Sequence, residues 1–392
     1  MAANEESKLT HITGTFLIQA EGAFLNGAGL DTGEDKNAVI PKTFADGRNR
    51  VPYVSSQAWR RWLRLTFQQE NPQEPAAELR ALSLNARGNP DKIGTDMDPI
   101  KFAEDDIFGY MRAEKGQGRV AKDTEAIEED IDAEADAEAL SESAPAKSKG
   151  KQKAEKTKAV MRPSPFSSSI LKSLRNNGWQ GEDEGFVHLK EGSPLPYKTK
   201  FYNTQLQGVF GLSYARLGVF RNEGDRIELD ASLVAKYSAE NAIKRNDGRE
   251  IYEVADNKRR DRATMILRAL AVLRGGAKQA QFGTDVSPKA IIVAGLNCGN
   301  LIFNDLFKEQ DGQPAIKLDA LKQTLDDYRP RIVTPVFIGV RDGYLHPDSE
   351  REVRSWIEGG AKLDGGAEGF DVRLSSPIKA IEGLTEQLIE LG

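Results

Sequence analysis

Cysteine is almost missing from this chain. Cys298 stands alone in 392 residues, which excludes an internal disulfide and a zinc site built on thiolates. Histidine is nearly as scarce. His11, His188 and His346 lie far apart with no ligand spacing, so neither a histidine-bound metal nor any cofactor is expected. No apolar run approaches the ~20 residues needed to span a bilayer, so no membrane partner is expected. The opening residues, MAANEESKLT, lack the basic and apolar segments of a signal or transit peptide. With a single cysteine, this points to a reducing, cytoplasmic location. The phosphate-loop and dinucleotide fingerprints are missing, as is the nucleophile elbow. GGAK at Gly275–Lys278 follows a helix pattern, whereas a phosphate loop follows a strand and precedes a helix. No catalytic residue and no enzymatic activity are expected. No repeat of 20–50 residues is visible, which excludes a solenoid.

The net charge of −6 is ill suited to a polyanion ligand, but its placement matters more than its sum. Asp123–Glu142 holds ten acids and no base, and Lys147–Lys158 holds six lysines and one acid, so these two runs carry five of the six net negative charges. Residues 113–159 are blocky in charge and poor in core residues, the signature of a solvated insert without a packed core. The remainder is nearly neutral, and 39% of the whole chain is hydrophobic, enough for one large domain or two ordinary ones.

HITGTFLIQAEG, His11–Gly22, reads as a strand, and FLNGAGLDTGEDKNAVI after it as a long loop. VPYVSSQAWRRWLRLTF then supplies a short strand and a helix capped by Ser55 or Ser56, with Trp59, Trp62, Leu63 and Phe67 turned to the core. Glu70–Pro99 is Pro-rich and polar, DDIFGYM (Asp105–Met111) leads into the charged insert, and VMRPSPFSSSILKSL (Val160–Leu174) restarts order. QGVFGLSYARLGVF, Gln207–Phe220, reads as a strand. RRDRATMILRALAVLRGGA reads as a helix with Ala263, Ile266, Leu267, Leu270 and Leu273 inward, and Gly275–Gly276 stand where a C-cap is wanted. VSPKAIIVAG adds a strand. Without its insertions this order is close to βαββαβ, so the fold class expected is α+β, with a ferredoxin-like or RNA-recognition-type sheet.

Arg60, Arg61 and Arg64 fall within about 100° of one another at the helical period. They form either a solvated helix surface or a grip on an anion. No acid stands among them, so they repel one another unless something like phosphate binds. Ser55, Ser56 and Gln57 add neutral donors beside the first-turn N–H groups. Gly275 and Gly276 admit two readings: a helix stop, or bare backbone that a sugar–phosphate chain can approach, with Lys278 and Gln279 adding a charge and an amide. Asp31, Glu34 and Asp35 lie in the Gly-rich loop, where most acids are turn formers.

The helix entry SSQAWRRWLR, the loop LNGAGLDTG before it, the DDIFGYM segment, and GGAKQ followed by VSPKAIIV occur here in the order in which they occur in a known family. In this the chain resembles, from about His11 to about Ala294, the backbone subunit of CRISPR Cascade surveillance complexes, the Cas-seven family in its DevR-type, type I-B-like branch. The acidic-then-basic insert is no part of that pattern, and the last 90 or so residues match it least.

The resemblance implies a modified RNA-recognition palm at 1–67 and 206–392, helical fingers at 68–160 and an extended thumb at 161–205. It implies copies stacked head to tail along a CRISPR guide RNA, together with guide-end-capping, large and processing subunits of Cascade, and contact with target DNA through the guide. Such complexes serve antiviral defence or guided transposition. Carried onto this sequence, Ser55, Ser56, Gln57, Arg60, Arg61 and Arg64 would grip guide phosphates. Gly275, Gly276, Ala277, Lys278 and Gln279 would line the same path, with Asn26 near it. Met161, Arg162 and Phe166 would open the thumb, with Met161 or Phe166 as a base-flipping wedge or as ordinary packing. Two other readings stand beside this one: a type III-like subunit cutting target RNA with Asp31 or Asp35 and a divalent metal, and a standalone RNA-binding regulator.

Overall fold

The computed structural model describes residues 8–31, 38–78, 80–84, 90–112, 160–175, 181–187, 190–192, 195–224, 226–246, 248–363 and 368–390. The charged insert at 113–159, Glu34, Asp35 and His188 lie outside the described residues. The elements that position the site are, in chain order, strand β1 (His11–Ala23), strand β2 (Asn49–Val54), helix α1 (Ser56–Glu70), strand β3 (Leu171–Ser173), strand β4 (Leu195–Leu212), helix α2 (Asp256–Ala271), strand β5 (Ala290–Leu296), strand β6 (Val336–Val340), strand β7 (Val372–Ser375) and helix α3 (Pro377–Glu390).

β1 is buried along most of its length on both faces, as its apolar and β-branched content requires of a central strand. It pairs antiparallel with β4 on one side, Ile12 opposite Leu212, and with β5 on the other, Thr15 opposite Ile292. Two glycines set the packing between β1 and β4. Gly14 lies opposite Phe210 and Phe16 opposite Gly208, so each ring covers a partner that has no side chain. A Cβ on Gly14 would stand 2.7 Å from Phe210, and one on Gly208 would stand 2.8 Å from Phe16. Trp59 of α1 meets Phe16 edge-on at 5.5 Å.

The largest sheet continues β7–β6–β5–β1–β4–β3–β2 and ends on Thr43–Asp46. It is mostly antiparallel, with β6 and β7 running parallel. Together with its helices this makes a mixed architecture consistent with α+β. Ala380, Ile381, Leu384 and Leu388 form the buried stripe of α3.

By its contacts the chain divides into two units. One comprises 1–71, 167–215 and 263–392, and the other 72–166 and 216–262. These boundaries differ from those expected for palm, fingers and thumb. Met161–Phe166 falls in the second unit while 167–205 falls in the first, and 216–262 falls in the second rather than with the sheet. The apolar run Gln207–Phe220, expected as one strand, breaks after Leu212; Val219–Arg221 is a separate strand in a three-stranded sheet of the second unit. Gly218, at φ +70°, marks the change of direction. The expected long loop after β1 contains two short strands, Gly27–Leu30 and Ala38–Pro41, paired antiparallel.

The second unit has its own apolar cluster of Ile100, Phe220, Leu229, Tyr237, Ile243, Tyr252 and Val254. Beside it lies a buried ion network centred on Asp106 of the DDIFGYM segment. Asp106 accepts from Arg162, from Arg262 at 2.6 Å and from the Gly218 N–H at 2.9 Å. Arg162 also reaches Glu228 at 3.1 Å and lies over the Phe220 ring at 4.3 Å.

Candidate nucleic-acid interface

Three of the four segments singled out by sequence meet in the first unit, at Leu25–Asn26; the fourth, DDIFGYM, falls in the second unit. Where β1 ends, the Asn26 side-chain oxygen accepts from the Ser55 N–H at 3.0 Å. This fixes the entry to α1. Ser55 caps the helix, its hydroxyl accepting from the Ala58 N–H at 3.4 Å. The carbonyl of Leu25 accepts from the Ala277 N–H at 2.9 Å, which ties the glycine loop to the same turn. A third tie closes the triangle. Thr66 of α1 is fully buried, accepts from the Arg274 N–H at 3.0 Å, and donates to the Trp62 carbonyl at 2.8 Å.

The glycine loop resolves the two readings of LRGGAKQ in an unexpected way. α2 stops at Ala271, and its last turn tightens through Val272 and Leu273 N–H bonds to the carbonyls three residues back. Gly275 and Gly276 are therefore not its C-cap. Their bare sides face protein. A Cβ on Gly275 would stand 2.3 Å from Trp62, and one on Gly276 would stand 2.6 Å from both Leu25 and the Gln279 amide. Both residues also hold positive φ, +149° and +107°. The missing side chains let the loop lie flat on α1 and on the β1 turn. The expectation that they clear space for a sugar–phosphate chain is corrected accordingly.

Lys278 sits in the left-handed region at φ +51°. Its ammonium donates to Thr199 at 2.6 Å and lies 5.3 Å from the Phe24 ring. The Gln279 amide folds back onto the Gly275 carbonyl. On the other face of β4, Lys200 pairs with Asp31 at 2.9 Å and with Glu182 at 3.6 Å. The hydrogen bond to Asp31 holds the Lys200 ammonium above its ordinary pKa.

The arginine face of α1 is narrower than the sequence suggests. Gln57 and Arg61 are exposed, Ser56 and Arg60 are half-buried, and Arg64 is 9% exposed. Arg64 falls only about 60° around the helix from buried Phe67, at the edge of the covered arc. Its expected place on an open cationic face is corrected. Arg162 and Phe166 are corrected as well. Arg162 is 1% exposed and committed to Asp106 and Glu228. Phe166 is 1% exposed and packs edge-on against Phe108 at 6.2 Å. Neither can touch a ligand from these positions. Met161, half-buried, pairs with Met111.

Sequence reasoning overlooked Leu25, Thr66, Thr199 and Lys200. The alternation YKTKFY at Tyr197–Tyr202 signals a strand with Lys198 and Lys200 on one face, and that signal was legible. Thr66 carried none, because a threonine inside a helix usually packs or bonds its own turn.

The sequence matches no protein-family model and no curated protein. The fold is similar to a chain of a solved structure described as "CRISPR RNA-guided surveillance complex, pre-nicking", at 11% identity and a TM-score of 0.48, covering 97% of this chain and 100% of that one. A chain from a structure described as "CRISPR RNA-guided surveillance complex" is similar at 12% identity and a TM-score of 0.42, covering 96% and 99%.

Proposed function

We propose that this chain is a guide-RNA-binding backbone subunit of a Cascade-type CRISPR complex, of the Cas-seven kind, which polymerises along the guide and presents it for pairing with target DNA. The observation that carries the reading is the junction at Leu25–Asn26, which holds the start of α1 and the glycine loop on one turn. That arrangement presents Ser56, Gln57, Arg60 and Arg61 from the first two turns of α1 and Lys278 from the loop. Guanidiniums and an ammonium beside first-turn N–H groups suit a phosphodiester chain, the class of contact that positions a nucleic acid without reading its sequence. Sequence reading is then left to guide–target pairing.

The sheet supports the same reading. β1, α1, β3, β4, α2 and β5 occur in this order in the chain, with β2 and other elements between them, and the strands order as β5–β1–β4–β3, all antiparallel. With the intervening elements set aside, this order supports the reading of an RNA-recognition-type palm. The proposal assigns no catalytic step. Asp31, the described acid of the loop after β1, is engaged by Lys200.

Filter binding of single-stranded RNAs of unrelated sequence tests the proposal. Replacing Arg60 and Arg61 with alanine should weaken all of them alike and flatten the salt dependence. A loss confined to some sequences would contradict it. Head-to-tail copies and the other Cascade subunits are tested by purification: a backbone subunit yields long RNA-bound particles, and a standalone regulator yields a discrete oligomer.

A further inference from the structure

A second cationic site lies within the second unit, at a pocket of about 220 Å³ lined by Arg216, Val219, Arg221, Arg226 and Glu228. Three arginines and one glutamate line it, and the carboxylate is already occupied. Glu228 is 2% exposed, accepts from Arg162 at 3.1 Å and from the Arg221 N–H at 3.3 Å, and forms an ion pair with Arg226 Nε at 2.7 Å. Its role is to orient cations from beneath. Arg226 makes its shortest approach to Glu228 through Nε. Arg216 is half-buried and gives Nη2 to the Pro163 carbonyl at 2.9 Å. The Arg221 side chain is exposed.

A half-buried arginine among like charges is poorly placed unless an anion joins it. Burial holds the Arg216 pKa below its ordinary value; Glu228 opposes this, while Arg162, Arg226 and Arg221 add to it. The lining carries a surplus of two positive charges over Glu228. Three arginines lining one pocket suit a tetrahedral oxyanion, which can take several forks, better than a planar carboxylate that two bonds from a single fork would satisfy.

We propose that Arg216, Arg221 and Arg226, held by Glu228, form a phosphate-binding site. The assignment is independent of the proposed function, since it uses neither α1 nor the glycine loop. It covers a phosphate of a nucleic-acid backbone and a free phosphate compound alike.

Calorimetric titration of the full chain with inorganic phosphate at low ionic strength tests the assignment, with acetate as the planar comparison. The expected result is phosphate binding that falls at least about tenfold in R221Q/R226Q, with acetate at least about tenfold weaker than phosphate in the wild type. Equal phosphate binding by wild type and variant would overturn it, as would acetate binding as tightly as phosphate. Arg221 and Arg226 are exposed enough for the variant to fold, and an unchanged melting temperature verifies this. Single-stranded RNA titrated across a salt series separates the two sources. A shallower salt slope in the variant assigns the site to a nucleic-acid phosphate. An unchanged slope, with phosphate binding still lost, assigns it to a free phosphate compound.

Discussion

Replacing Thr66 with valine removes one hydroxyl and almost nothing else. Valine keeps the shape and the fully buried position, so packing on α1 is preserved. The Arg274 N–H, bonded to Thr66 at 3.0 Å, loses its acceptor. An unsatisfied buried donor costs about 1–3 kcal/mol, and the partial burial of this bond places it at about 1–2 kcal/mol. For a unit of this size each kcal/mol lowers the melting temperature by roughly 2–4 °C, so T66V should melt about 2–8 °C below wild type. Trp59 and Trp62 on the same helix provide the fluorescence readout. The functional effect is separate. With its tether cut, the Gly275–Gln279 loop must be reordered when RNA binds, and a cost of about 1 kcal/mol weakens binding about fivefold. T66S retains the hydroxyl and should restore most of both losses. Identical melting and RNA affinity in T66V, T66S and wild type would refute the claim that Thr66 pins the loop.

Other expectations follow from the same geometry. Arg61→Ala should leave the melting temperature unchanged, lower RNA affinity for every sequence, and reduce the salt slope by about 0.7–1; Arg64→Ala, at a buried position, should lower the melting temperature instead. Gly275→Ala introduces a Cβ against Trp62 at a positive φ, and should cost more than about 1 kcal/mol in a urea unfolding series. Asp106→Ala leaves Arg162 and Arg262 buried without their shared carboxylate, a loss of about 3–5 kcal/mol, read as faster hydrogen exchange in 216–262 than elsewhere. The assembled complex incubated with complementary RNA and Mg²⁺ should yield no regularly spaced cuts, whereas cuts would restore Asp31 or Asp35 as a catalytic acid.

What the sequence made legible is what local pattern controls. A mix of β-branched and aromatic residues located β1, the apolar run AIIVAG located β5, and a serine before an apolar helical stripe located α1 with its cap. Pattern failed where a tertiary partner decides the outcome. The length of an apolar run did not reveal that it breaks at Leu212, because Phe220 is as apolar as Phe210 yet packs in a different unit. Helical periodicity put Arg64 outside, since a hydropathy pattern cannot see how wide an arc the neighbours cover. The two readings of the glycines stayed open because residues they accommodate, Trp62 at Gly275 and Leu25 at Gly276, are over 200 positions away in sequence. The charge pattern at Asp105–Asp106 gave no sign that Arg162 and Arg262 close around it from distant segments.

The measurement that bears most directly on the central claim is electron microscopy of the particle that co-purifies with this chain. The account predicts repeated copies with continuous RNA density passing over the first turns of α1, beside Gln57 and Arg61, and along Lys278. RNA running over another surface, or particles that hold none, would contradict it.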